Sequence, residues 1–162
     1  MILICFLILL NIVPACRISQ VDIPADTFIT LERTGCLGSC PIYKLTINAD
    51  GTVEFRGMHV KEGRMVSDAV KKSHISRDKL ASLLQAFQTA DYWSFKDQYS
   101  FGDKACGESW TDYPSAITSI RVGGKTKSVD HYYGCQRNER LKILTELESK
   151  IDEVVNTKQW LR

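Results

Sequence analysis

Six cysteines stand among the 162 residues, and their spacing decides what chemistry is open to them. Cys36 and Cys40 flank Leu37-Gly38-Ser39 and run into Pro41. Two thiols four apart can close a small disulfide, exchange electrons or hold a soft metal ion. Cys106 and Cys135 lie further along, while Cys5 and Cys16 belong to the N-terminal region. The four internal cysteines allow three connectivities. The pairing expected is Cys36–Cys40 with Cys106–Cys135. The second bridge would tie a long loop to the end of a hairpin. Closing about 30 residues, it would stabilise by about 3–4 kcal/mol through constraint of the unfolded chain.

Other chemistry-bearing residues converge less well. His131 and Cys135 would need reduced Cys36 and Cys40 to complete a zinc site, and the spacing matches no known finger. The C-x3-C-P string resembles the copper and thiol site of thioredoxin-like copper chaperones, but there it opens a helix, whereas Pro41 here leads into a strand pattern. Ser109, Asp112 and His131 supply the residue types of a hydrolase triad. However, Gly107-Glu108-Ser109-Trp110-Thr111 lacks the second glycine of a nucleophile elbow. Asp97, Asp103, Glu108 and Asp112 place four acids in one loop without a calcium-loop register. His59 and His74 have no spaced partner. No catalytic residue, metal or cofactor is assigned. The basic pairs Lys71-Lys72 and Lys125/Lys127 are short and the net charge is +2. That excludes the concentrated basic face that nucleic-acid binding requires.

The N-terminus carries the clearest instruction about place. Ile2 to Val13 are apolar except Asn11. About twelve residues rise only about 18 Å as a helix, short of a ~30 Å hydrocarbon core. Residues 1–15 therefore read as an export signal, with Ala15 before the cleaved bond and Cys16 as the first mature residue. Export leaves an odd number of cysteines unless Cys16 carries lipid. A lipid anchor at Cys16, with residues 16–25 as its tether, is thus the expectation, and the domain proper spans 26–162. The partners expected are a membrane, reached through that anchor, and another envelope component.

Periodicity supplies the elements. Phe28–Arg33 reads as a strand. Ile42–Ile47 alternates apolar and polar, Asp50-Gly51 turns, and Thr52–Arg56 returns. Met65–Lys71 suggests a third strand of that meander. Ser76 caps a helix whose apolar stripe is Leu80, Leu83, Leu84 and Phe87. An aromatic knot of Tyr92, Trp93 and Phe95 follows, then a polar loop over 96–114. Ala116–Val122 and Lys125–Tyr133 form a second hairpin around Gly123-Gly124. A last helix, about 138–156, carries Leu141, Leu144, Leu147, Ile151 and Val154. The fold class is α+β: an antiparallel sheet of five or six strands, in two hairpin or meander units, with both helices on one face.

Three segments, 32–55, 111–129 and 147–154, together resemble a bacterial domain-of-unknown-function family found in exported and lipid-anchored proteins. The most specific part is Thr34-Gly35-Cys36 through Cys40-Pro41, Tyr43 and the Asp50-Gly51 turn. The resemblance implies an envelope location and carries over no catalytic residue. The functional expectation is a non-enzymatic envelope module. Its contact surface would be the 96–114 loop with Trp110 and Asp112, beside Tyr132 and Tyr133. The alternatives are thiol–disulfide or copper handling at Cys36 and Cys40, or inhibition of an extracellular hydrolase.

Overall fold

The computed structural model describes residues 22–136 and 138–161. The expected signal and Cys16 lie outside the described residues. Ile23, by contrast, is already buried in the core.

Strands β1 (Phe28–Arg33), β2 (Ile42–Asn48), β3 (Thr52–Lys61), β4 (Arg64–Ser67) and β5 (Lys71–His74) precede helix α1 (Arg77–Thr89). The chain continues through β6 (Gln98–Tyr99), β7 (Glu108–Ser109), β8 (Ser115–Val122), β9 (Lys125–Tyr132), β10 (Cys135–Gln136) and α2 (Glu139–Val155). The main sheet runs β4-β3-β2-β1-β8-β9-β6, with β5 also beside β3, and β7 pairs with β10 in a small second ladder.

The α+β class holds, with two corrections. The sheet has eight strands rather than five or six. The expected third strand of the meander splits where the Asp68 amide donates to the Gly57 carbonyl at 2.8 Å, giving β4 and β5. The sheet is also not wholly antiparallel, because β6 runs parallel to β9. Two residues inside a polar loop carry no readable period, so no alternation announces β6.

Alternation sets the inner face. Ile29 and Leu31 of β1, Leu45 and Ile47 of β2, Val53 and Phe55 of β3, Ala116 and Ile120 of β8, and Val129 of β9 are all buried. They form one core with Leu80, Leu83, Leu84 and Phe87 of α1 and Leu141, Leu144, Leu147 and Ile151 of α2. Tyr92 and Phe95 of the aromatic knot join that core, but Trp93 is exposed. Ser76 caps α1 by accepting from the Lys79 amide at 3.3 Å, and Asn138 caps α2 by accepting from Arg140 and Leu141. At the β2–β3 turn Gly51 adopts φ +86°, and an added Cβ would collide with the Ile75 carbonyl. A side chain is thus excluded there twice over.

Register gives the sheet two ends. At the near end lie Phe28, the Asn48–Gly51 turn and the Gly123-Gly124 turn. Asp26 ties the chain before β1 to that end, its carboxylate accepting from Gly124 at 2.7 Å and Gly123 at 2.9 Å. These two amides hold its pKa below the usual carboxylate value. At the far end lie Arg33, Tyr43, Ala116 and His131, which continue into the cysteine-bearing loops.

Candidate binding surface and the charge network beneath it

Both disulfides sit at the far end. Cys36 is bonded to Cys40, with Cα atoms 5.6 Å apart, in the β1–β2 connection. Cys106 is bonded to Cys135, at 4.9 Å, so the 96–114 loop is stapled to the strand following β9. The two stapled loops touch, because the Leu37 amide donates to the Asp112 carbonyl at 3.3 Å. The Thr34 amide donates to the Ser115 carbonyl at 3.0 Å beside it.

These loops carry large apolar side chains outward. Leu37 is 81% exposed and Trp110 53%. Phe101 and Tyr113 are also exposed. Phe101 stands edge-on to Tyr132 with ring centroids 6.3 Å apart, and Trp110 lies 6.3 Å from Tyr113. Tyr132 organises the loop backbone: its hydroxyl donates to the Trp110 carbonyl at 2.7 Å and accepts from the Tyr113 amide at 3.3 Å. Gly134 permits this close approach, since a Cβ there would collide with the Tyr132 ring and the Trp110 carbonyl. The Trp110 amide donates to the Gly134 carbonyl at 2.9 Å. The aromatic display is therefore held by backbone bonds and a covalent staple, which lowers the entropy lost when it meets a partner.

Of the surface residues expected, Trp110 and Asp112 are exposed and Tyr132 is half-buried. Tyr133 is turned the other way. Its hydroxyl donates to Glu148 Oε2 at 2.7 Å and accepts from Arg33 Nη1. It belongs to a polar network under the surface. The other proposed constellations do not assemble. All four internal sulfurs are in disulfides. Ser109 Oγ accepts from the Gly102 amide, Asp112 Oδ2 from Thr111 Oγ1, and His131 Nδ1 faces Glu148, so no triad forms. Asp97 pairs with Lys127 at 2.7 Å and Asp103 accepts from the Ala105 amide. Among the described residues no group of three or more His, Cys, Asp or Glu is placed to hold a metal ion.

The network has a simple geometric origin. Tyr43, Arg33, Ala116 and His131 are consecutive partners across β2, β1, β8 and β9, one transverse row on the inner face of the sheet. Glu148 and Asp152 are one turn apart on α2 and so share a face of the helix. Row and turn meet. Asp152 Oδ2 accepts from Arg33 Nη2 at 2.8 Å and Nε at 3.2 Å, while Oδ1 accepts from the Tyr43 hydroxyl at 2.6 Å. Glu148, fully buried, takes Tyr133 on Oε2 and has His131 Nδ1 3.2 Å from both oxygens. The small Ala116 in the middle of the row leaves room for the larger groups. Sequence reasoning missed Glu148, Asp152 and Arg33. The signal was available: Glu148 lies four residues after Leu144 and three before Ile151, inside the apolar arc of α2.

Burial opposes the charge on Arg33, but Tyr133 and Asp152 outweigh it and hold the guanidinium above its usual pKa. Burial, helped by the neighbouring carboxylate, pushes the Tyr43 and Tyr133 phenols above their usual value. Burial also raises Tyr92, with Glu148 adding to it. A raised folded-state pKa means that the unfolded tyrosine ionises first. This contribution to stability is therefore complete below about pH 10 and falls away as pH rises further. In an alkaline titration followed at the tyrosinate absorbance, three of the six tyrosines are expected to ionise only as the fold opens. Tyr43→Phe should remove one of the three from that late step; ionisation of all six before any loss of fold would contradict the buried positions.

No described helix is long and apolar enough to cross a membrane. No curated protein matches the sequence. Residues 27–155, which hold the sheet, both helices, the two disulfides and the network, match the family model described as Domain of unknown function (DUF6438), and the chain belongs to that family.

Proposed function

We propose that this chain is a lipid-anchored binding module of the cell envelope that recognises another envelope component, a protein foremost, with the far end of its sheet. The observation that carries the reading is the stapled display of three aromatic side chains, Trp110, Tyr113 and Phe101, with the aliphatic Leu37. Exposed aromatics cost free energy in water, and a rigid group of them is the usual anchor of a recognition surface. Two disulfides suit an oxidising compartment, and the apolar run before Cys16 suits export to one.

The orientation supports the same reading. The chain enters β1 from the near end, so an anchor attached upstream leaves the aromatic loops facing away from the membrane. Two experiments test the parts separately. Palmitate labelling in cells is expected to mark the wild type and not Cys16→Ser; equal labelling of both, or of neither, would remove the anchor. For recognition, affinity for the native envelope partner is expected to fall at least about tenfold in Trp110→Ala/Leu37→Ser, in keeping with loss of a central anchor. Lys125→Ala at the near end should leave it unchanged. Equal affinities of the wild type and the far-end variant would contradict the reading.

A further inference from the structure

We infer that the cleft between Tyr113 and the first turns of α2 binds a small ligand bearing an oxyanion, a carboxylate or a phosphate, with His131 as its buried contact. The cleft encloses about 270 Å³, and its walls include Tyr113, Tyr133, Gln136, Leu141 and Lys142 around His131. That volume suits a small metabolite-sized group with an apolar body against Tyr113, Tyr133 and Leu141.

Among the described residues, the histidine has one engaged ring nitrogen and one open one. It is only 2% exposed, and Glu148 engages Nδ1 alone. Among the described residues none bonds Nε2. The Nδ1–Glu148 contact occupies one ring nitrogen, and Nε2 is the nitrogen left for a ligand in the cleft that His131 lines. An oxyanion that enters is taken up together with one proton from water, which is shared between Nε2 and the ligand oxygen, while Nδ1 keeps its contact with Glu148.

Lys142 adds positive charge at the cleft, offset in part by its partner Glu139. Among the described residues the cleft lining contains Lys142 and no carboxylate. Lys142 Nζ lies 2.6 Å from Glu139 Oε1 in an exposed pair, a contact weak enough to be exchanged for a ligand. Asn138, the N-cap of α2, is also part of the wall, with its side-chain oxygen already taken by the Arg140 and Leu141 amides. Tyr133 and, through it, Arg33 are further polar neighbours of the dyad. The cleft and the exposed display share Tyr113, but His131 and Lys142, which carry the test, are not part of the display.

The test titrates the isotope-labelled mature protein with sodium acetate and, separately, with inorganic phosphate. The pH is fixed and the ionic strength is held constant with chloride. Nitrogen–proton correlation spectra of the histidine rings read the result, and His59 and His74 serve as internal controls. The His131 ring is expected to shift saturably, with Kd about 1–10 mM for such bare ions. Lys142→Ala should weaken the binding at least threefold, and His131→Gln should abolish the saturable response of neighbouring signals. Because His131 is buried, Lys142→Ala carries the test if His131→Gln fails to fold. Saturation by acetate, by phosphate or by both supports the site and names the source of the oxyanion. A shift linear in concentration, a shift shared by His59 and His74, or a curve unchanged in Lys142→Ala would overturn it. None of these failures touches the far-end recognition surface, which Trp110 and Leu37 variants test.

Discussion

Glu148→Ala is expected to lower the unfolding free energy by about 3–5 kcal/mol, the cost of leaving buried charged and polar partners unmatched. The side chain is fully buried, and both Tyr133 and His131 lose their acceptor. Arg33 then bonds to a phenol that has nowhere to donate. Glu148→Gln keeps an acceptor oxygen and should cost less, about 1–2 kcal/mol. Replacing Glu148 and His131 together by leucine should recover much of the loss, because an apolar pair of similar volume has no partner to leave unmatched. Denaturant unfolding reads all three as a shift of midpoint at constant slope. A cost below about 1 kcal/mol for the alanine variant would mean that water already reaches the site.

Removal of the second disulfide by Cys106→Ala/Cys135→Ala is expected to cost about 3–4 kcal/mol. The bridged residues are 29 apart, so the unfolded chain gains the entropy of a long loop. The Cys36–Cys40 bridge spans only 4 positions and should be worth less, about 2 kcal/mol by the same argument. The larger effect has a local signature as well. The Trp110 amide, bonded to the Gly134 carbonyl, should exchange with solvent much faster once the staple is gone. Amides of Ile29 and Leu45 in the middle of the sheet should keep their relative protection. If the opened loop still protects Trp110, the backbone bonds of Tyr132 and Gly134 suffice without the covalent tie.

The fold was largely legible because its determinants are local. Alternation in β2, the Asp50-Gly51 turn, the Ser76 cap and the stripes of α1 and α2 each act within a few residues. What escaped depends on tertiary pairing. β6 is two residues long and is a strand only because β9 lies beside it. Trp93 follows a buried Tyr92 within one short 3-10 turn, Tyr92–Ser94, and faces outward. The network joins Arg33 to Asp152 across 119 positions, and no spacing rule reaches that far. Tyr133 is the instructive case. As an aromatic next to Tyr132 it reads as half of an exposed pair. Adjacent residues leave the backbone in different directions, and beyond the end of β9 one hydroxyl finds the loop while the other finds Glu148. The buried carboxylate itself was hidden by composition, since a Glu inside a helix rich in Glu and Lys looks like its solvated face.

Recognition is proposed to happen at the far end of the sheet. The most direct measurement places a photo-reactive residue at Trp110 in one version of the full chain and at Lys125 in another. Both are expressed in the native envelope and irradiated. One discrete covalent adduct is expected from position 110, reduced by Leu37→Ser, and none from position 125. An adduct formed equally from both positions, or from position 125 alone, would contradict it.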